Sequence, residues 1–86
     1  MNRPRLVAGA RLQYDDVREE HMLLVPEGAV RLNETAVAVL ELCDGKRTVG
    51  DVTAELGAKY EGVNESDVRA LLDGLGQRGL VVDVDA

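Results

Sequence analysis

Side-chain catalysis needs a nucleophile beside a base, a pair of tuned carboxylates, or a cluster of metal ligands. The 86-residue chain has one histidine, His21, and one cysteine, Cys43. Those two cannot fill the three or four positions of a conventional zinc site. His21 follows Glu19 and Glu20, a weak carboxylate–histidine pairing that reads as a half-exposed strand or turn histidine. Ser66 is the only serine and is placed to cap a helix, and Thr35, Thr48 and Thr53 have no histidine near them. Asp15-Asp16 and Glu19-Glu20 share one turn, where solvated charge is their role. Nine glycines are scattered and none falls in a G-x-x-x-x-G-K phosphate loop. The residues support neither an enzyme nor a bound cofactor or metal.

The elements that would position a site follow from periodicity. Residues 1–9, with Pro4 and Gly9, show no period and read as a flexible arm, ordered only if something ties it down. Residues 10–86 form the domain. Leu12 and Tyr14 alternate with polar neighbours in a short strand over 11–15. Met22–Val25 is a continuous apolar run, read as a strand buried on both faces. Pro26-Glu27-Gly28 is a turn, and Val30 and Leu32 alternate with Arg31 in a third strand. Together they make an antiparallel meander.

Asn33 is an N-cap, and Ala36, Val39, Leu40 and Cys43 follow at the spacing of a buried helix face ending at Asp44-Gly45. Thr48 and Asp51 start a second helix with the stripe Val49, Val52, Leu56 and Tyr60. Asn64 or Ser66 caps a third, whose stripe is Val68, Leu71, Leu72 and Leu75, and Gly79 stops it. Leu80-Val81-Val82 is a short closing strand. The expected class is α+β and winged-helix-like: a three-stranded antiparallel meander followed by a three-helix bundle.

Composition excludes several functions. Hydrophobic residues make up 45% of the chain, yet it has no Trp, no Phe and two Tyr, so its core is thin and aliphatic. It offers no aromatic platform for bases. A formal charge of −6 argues against nucleic acid and anionic membrane surfaces, both of which select basic patches. The third helix carries Glu65, Asp67 and Asp73 against Arg69 and Arg78, too acidic for a recognition helix. A lone cysteine and the lack of a signal-like or membrane-length apolar run fit a cytoplasmic chain, expected to be a monomer.

Two features exceed scaffold requirements. The strand Ala29–Leu32 ends the meander and is an edge, guarded only by Arg31, to which an extended peptide could add. The closing segment, the arm or another copy of the chain could equally cover it. Gly74 and Gly76 each weaken the third helix by about 1 kcal/mol relative to alanine. Either another backbone approaches closely there, or the final turn frays.

Several segments together resemble the PqqD family. They are Arg11-Leu12-Gln13-Tyr14-Asp15, Leu23-Leu24-Val25-Pro26-Glu27-Gly28, Leu32-Asn33-Glu34-Thr35-Ala36 and Leu40-Glu41-Leu42-Cys43-Asp44-Gly45, continued by Asp67–Leu72 and Gly79-Leu80-Val81. The resemblance covers roughly residues 5 to 82, and its most specific parts are the L-L-x-P-E-G turn and the L-x-L-C-D-G helix end.

What the resemblance implies is a peptide chaperone of pyrroloquinoline quinone (PQQ) biosynthesis. It would bind the ribosomal precursor peptide PqqA and present it to the radical-SAM enzyme PqqE, as a precursor-recognition element does. The peptide would add as a strand beside Ala29, Val30, Arg31 and Leu32 and lie in a groove lined by Arg69, Leu72, Asp73, Leu75 and Gly76. The flank Arg69/Asp73/Gly76 is preferred over Asp67/Gly74/Arg78. The chain departs from several relatives in having His21 where they carry Trp, and Val25 where an aromatic is frequent. The alternatives are recognition of a precursor in another modified-peptide pathway and a winged-helix DNA-binding regulator.

Overall fold

The computed structural model describes residues 1–85. In chain order the elements are β1 (Pro4–Leu6), β2 (Arg11–Asp15), β3 (Glu20–Val25), β4 (Gly28–Leu32), α1 (Glu34–Leu40), α2 (Val49–Gly57), α3 (Glu65–Gln77) and β5 (Val81–Asp83). The class is α+β, with three helices and two antiparallel sheets, β2-β3-β4 and β1-β5.

Side chains on one face of the meander meet the helices. Leu23 is fully buried at its centre and Leu32 at its end, while Leu12, Val25 and Val30 pack partly against them. The expectation that Met22–Val25 is buried on both faces is corrected. Met22 and Leu24 remain half-exposed, because alternate side chains of a strand leave by opposite faces and only one face meets the core.

Local polar chemistry sets the helix starts. The Asn33 side chain accepts the Ala36 N–H at 2.8 Å. Thr48 and Asp51 form a reciprocal capping box at 3.1 and 3.0 Å, and Asn64 accepts from the Asp67 N–H at 2.9 Å. Val39, Leu40, Val49, Val52, Val68, Leu72 and Leu75 then close the core.

Two helix ends differ from expectation. The regular part of α1 stops at Leu40, yet Cys43 stays buried, its thiol donating to the Val39 carbonyl at 3.2 Å. Burial, then the charge of Asp44, pushes that thiol up to about 12. Gly45 takes φ +80° beyond this end, and its N–H donates to the Pro4 carbonyl at 2.9 Å. Tyr60 is exposed because α2 ends at Gly57, before its stripe comes round again.

Residues 1–9 are expected to be ordered only if something ties them down, and a tie is present. Pro4–Leu6 form β1, paired with β5 in the register Arg5 opposite Val82, and Pro4 is fully buried. The backbone N–H groups of Asn2 and Arg3 donate to the Asp83 carboxylate at 2.9 and 3.1 Å. Arg3 also pairs with Asp85 at 2.7 Å. These donors, Arg3 first and then Asn2, hold the Asp83 carboxyl below its ordinary value. The tie comes from the far end of the chain, beyond the reach of local pattern.

Candidate functional site

β4 is an edge: it pairs with β3 on one side and, among the described residues, with no strand on the other. The β3–β4 loop has only two residues, Pro26 and Glu27, between the partners Val25 and Gly28. A closing pair of that kind must be hydrogen-bonded, because the two loop residues cannot supply the ladder bonds of the alternative. The register runs without a break, so Gly28, Val30 and Leu32 turn their backbone groups to β3. Ala29 and Arg31 turn theirs outward.

The side chains alternate with the same period. Ala29 and Arg31 are exposed, Val30 is half-buried and Leu32 is buried. The Arg31 guanidinium reaches across the sheet to Glu20 at 3.4 Å, a surface pair of small energetic weight.

Immediately after β4 the chain enters a cavity of about 520 Å³ between α1, the end of α2 and the start of α3. Val39, Leu56 and Val68 lie among its apolar lining, with Tyr60, Asp67 and Leu71 also on its walls. Asn33, one residue past β4, lines it too, so the open edge and the cavity are neighbours in the chain.

The α3 residues expected in one groove fall into separate environments. Leu72 is completely buried and Leu75 nearly so, both in the core. Arg69 donates to the Met1 carbonyl at 2.9 Å and to Glu65 at 3.0 Å. Gly76 lies under Met1, where an added Cβ would come within 3.0 Å of the methionine Cε. Asp73 is exposed. The close contact at Gly76 is thus with a side chain, the Met1 methyl, while the nearest backbone atom, the Val81 carbonyl oxygen, is at an ordinary 3.7 Å and Gly74 faces open space.

The opposite flank supplies Asp67 to the cavity together with Val68 and Leu71. Asp67 is held by the Asn64 side-chain amide at 2.9 Å. Sequence reasoning missed the α1 contribution, since Val39 reads as ordinary core. The available signal was Tyr60, a large side chain stranded between Gly57 and Gly62.

His21 stacks at a tilt on Tyr14, with ring centroids 4.8 Å apart. Among the described residues no cluster of three His, Cys, Asp or Glu could hold a metal, and no helix is long and apolar enough to cross a membrane. What remains is a pairing edge and a partly apolar cavity, both suited to holding an extended chain.

The family model for coenzyme PQQ synthesis protein D (PqqD) matches residues 20–81. A PqqA binding protein from Bradyrhizobium diazoefficiens is 42% identical over 85 residues, covering 95% of this chain and 82% of the relative. The bifunctional coenzyme PQQ synthesis protein C/D of Methylorubrum extorquens is 44% identical over 87% of this chain, which spans 21% of that longer protein. A solution NMR structure of the PqqD truncation of Methylobacterium extorquens PqqCD superposes with a TM-score of 0.71 at 40% identity. That match covers 92% of this chain and 87% of the other, described as a functional, stand-alone recognition element for ribosomally synthesized and post-translationally modified peptides.

Proposed function

The chain belongs to the PqqD family, and from that premise we propose that it binds the precursor peptide PqqA and serves as its recognition element in PQQ synthesis. The observation that carries the reading is the open backbone of Ala29 and Arg31 on β4, in a chain whose relatives are PqqA binding proteins.

PqqA adds as a strand beside β4 of a scaffold we read as winged-helix-like. Backbone bonds to Ala29 and Arg31 supply affinity, and Val30 and Leu32 offer the apolar face between them. Beyond the strand, peptide side chains enter the cavity against Leu71 and Val68. The flank of α3 that bears Asp67 and Leu71 takes this role in place of the expected Arg69/Asp73/Gly76 flank, where Met1 lies against Arg69 and Gly76.

The domain does no chemistry of its own. It presents the bound peptide to the radical-SAM enzyme PqqE, raising the effective concentration of a flexible substrate and fixing its register. The iron–sulfur cluster and S-adenosylmethionine belong to that enzyme.

Isothermal titration with synthetic PqqA tests the reading. Saturable binding at one peptide per chain, weakened at least about tenfold by Ala29→Pro, is the expected result. A heat-silent titration with no change in peptide fluorescence anisotropy contradicts it. Addition of the protein to PqqE and PqqA is expected to speed peptide modification, and an unchanged rate removes the presenting role.

A further inference from the structure

The meander has a second open edge, β2, and its five residues read Arg11-Leu12-Gln13-Tyr14-Asp15. We propose that this edge is a self-complementary dimerisation surface whose occupant is a second copy of the chain.

Backbone parity comes first. Val25, Leu23 and His21 of β3 use their hydrogen bonds toward β4, so Leu24, Met22 and Glu20 use theirs toward β2. Their partners Arg11, Gln13 and Asp15 are thereby satisfied. Leu12 and Tyr14 turn N–H and C=O to the open side, and no turn, loop or cap bond among the described residues takes them up.

Two copies placed antiparallel with Gln13 on the two-fold axis set Leu12 opposite Tyr14 of the second copy, and Tyr14 opposite its Leu12. All four of those residues carry outward groups, so the ladder closes with both pairs hydrogen-bonded. The same register sets Arg11 opposite Asp15 at each end, on the face away from the core. Slipping by one residue sets outward groups against satisfied ones. Slipping by two keeps a ladder but separates Arg11 from Asp15. One register satisfies backbone and charge together.

The side chains are available for it. Arg11 and Gln13 are exposed, Tyr14 is 48% exposed, and Arg11 has no ion-pair partner among the described residues. Asp15 uses Oδ1 for the Val17 and Arg18 N–H groups, while Oδ2 is 4.0 Å from the Arg18 guanidinium and open to a stronger donor. A cavity of about 240 Å³ lined by Leu12, Tyr14, His21 and Val37 gives the facing side chains room.

Two five-residue strands bury less than the roughly 1,000 Å² of a stable interface, so association is weak and reversible. The product is a six-stranded sheet with a β4 edge free at each end. Peptide binding and self-association use opposite edges and do not compete.

Sedimentation equilibrium on the intact chain, up to millimolar concentration, tests this with two variants of the exposed Gln13. Wild type is expected to show a concentration-dependent dimer. Gln13→Glu and Gln13→Lys each place like charges face to face on the axis, and each raises the dimer dissociation constant roughly three- to fivefold. An equimolar mixture of the two variants recovers association at least as tight as wild type, a response reserved for a residue on the two-fold axis. Circular dichroism confirms that both variants are folded. A wild type that stays monomeric at millimolar concentration overturns the proposal, and so does a dimer indifferent to both charges.

Discussion

Val25 and Gly28 face each other across a two-residue loop, and this pair decides which backbone groups of β4 are free. With Val25 bonded to Gly28, the alternation delivers Val30 to β3 and leaves Ala29 and Arg31 open. Proline has opposite consequences at neighbouring positions. Ala29→Pro or Arg31→Pro is expected to keep the fold and weaken PqqA binding about tenfold or more, since each removes an outward donor from an edge strand. Val30→Pro breaks the β3–β4 ladder and lowers the melting temperature. Thermal melts alongside peptide titrations separate the two effects.

Adjacent residues of α3, Leu71 lines the cavity and Leu72 lies in the core. Leu72→Ala empties a completely buried site and is expected to cost about 2–5 kcal/mol of stability in denaturant titrations. Leu71→Ala, at the wall of the cavity, is expected to lower peptide affinity several-fold with a smaller loss of stability. Equal stability losses with unchanged peptide affinity would move the groove off this flank.

The Asp83 carboxylate makes the N-terminal strand acid-sensitive. Its folded value lies below the ordinary 3.8, held down by the backbone N–H donors of Arg3 and Asn2. The stabilisation it gives is therefore present above 3.8 and lost as pH falls from there through the folded value. Cross-strand NOEs between Arg5 and Val82 are expected at about pH 5 and to fade on further acidification. In Asp83→Asn they are weakened already at neutral pH. Contacts of unchanged strength in both experiments would mean the carboxylate does not hold β1.

Cys43 is expected to be inert while the chain is folded. Burial pushes its thiol up to about 12, so at neutral pH the reactive thiolate is scarce as well as buried. Alkylation by iodoacetamide is expected only at the rate of opening, rising steeply in denaturant. Rapid labelling of native protein would contradict the packing of α1.

The meander and the three helix starts were legible because their signals are local. Alternation marks β2 and β4, and Asn33, Thr48 and Asn64 cap helices through bonds only three residues long. β1 was illegible for the opposite reason. Three residues containing a proline carry no period, and their partners lie at the other end of the chain. The choice between the two flanks of α3 was hidden likewise. Both flank Leu72 symmetrically in the pattern, whereas in the fold Met1 lies over Gly76 and Arg69 and the cavity lies against Asp67 and Leu71. The edge was visible as a strand, but which of its residues are open depended on the loop length between Val25 and Gly28.

The most direct test of peptide addition at β4 is an amide-shift titration of isotope-labelled protein with PqqA. The Ala29 and Arg31 amides are expected to move downfield, as new hydrogen bonds require, and to become protected from exchange. Leu71 and neighbouring α3 amides shift with them, and the β2 amides stay in place. Saturable binding that leaves Ala29 and Arg31 unmoved and unprotected would contradict strand addition at this edge.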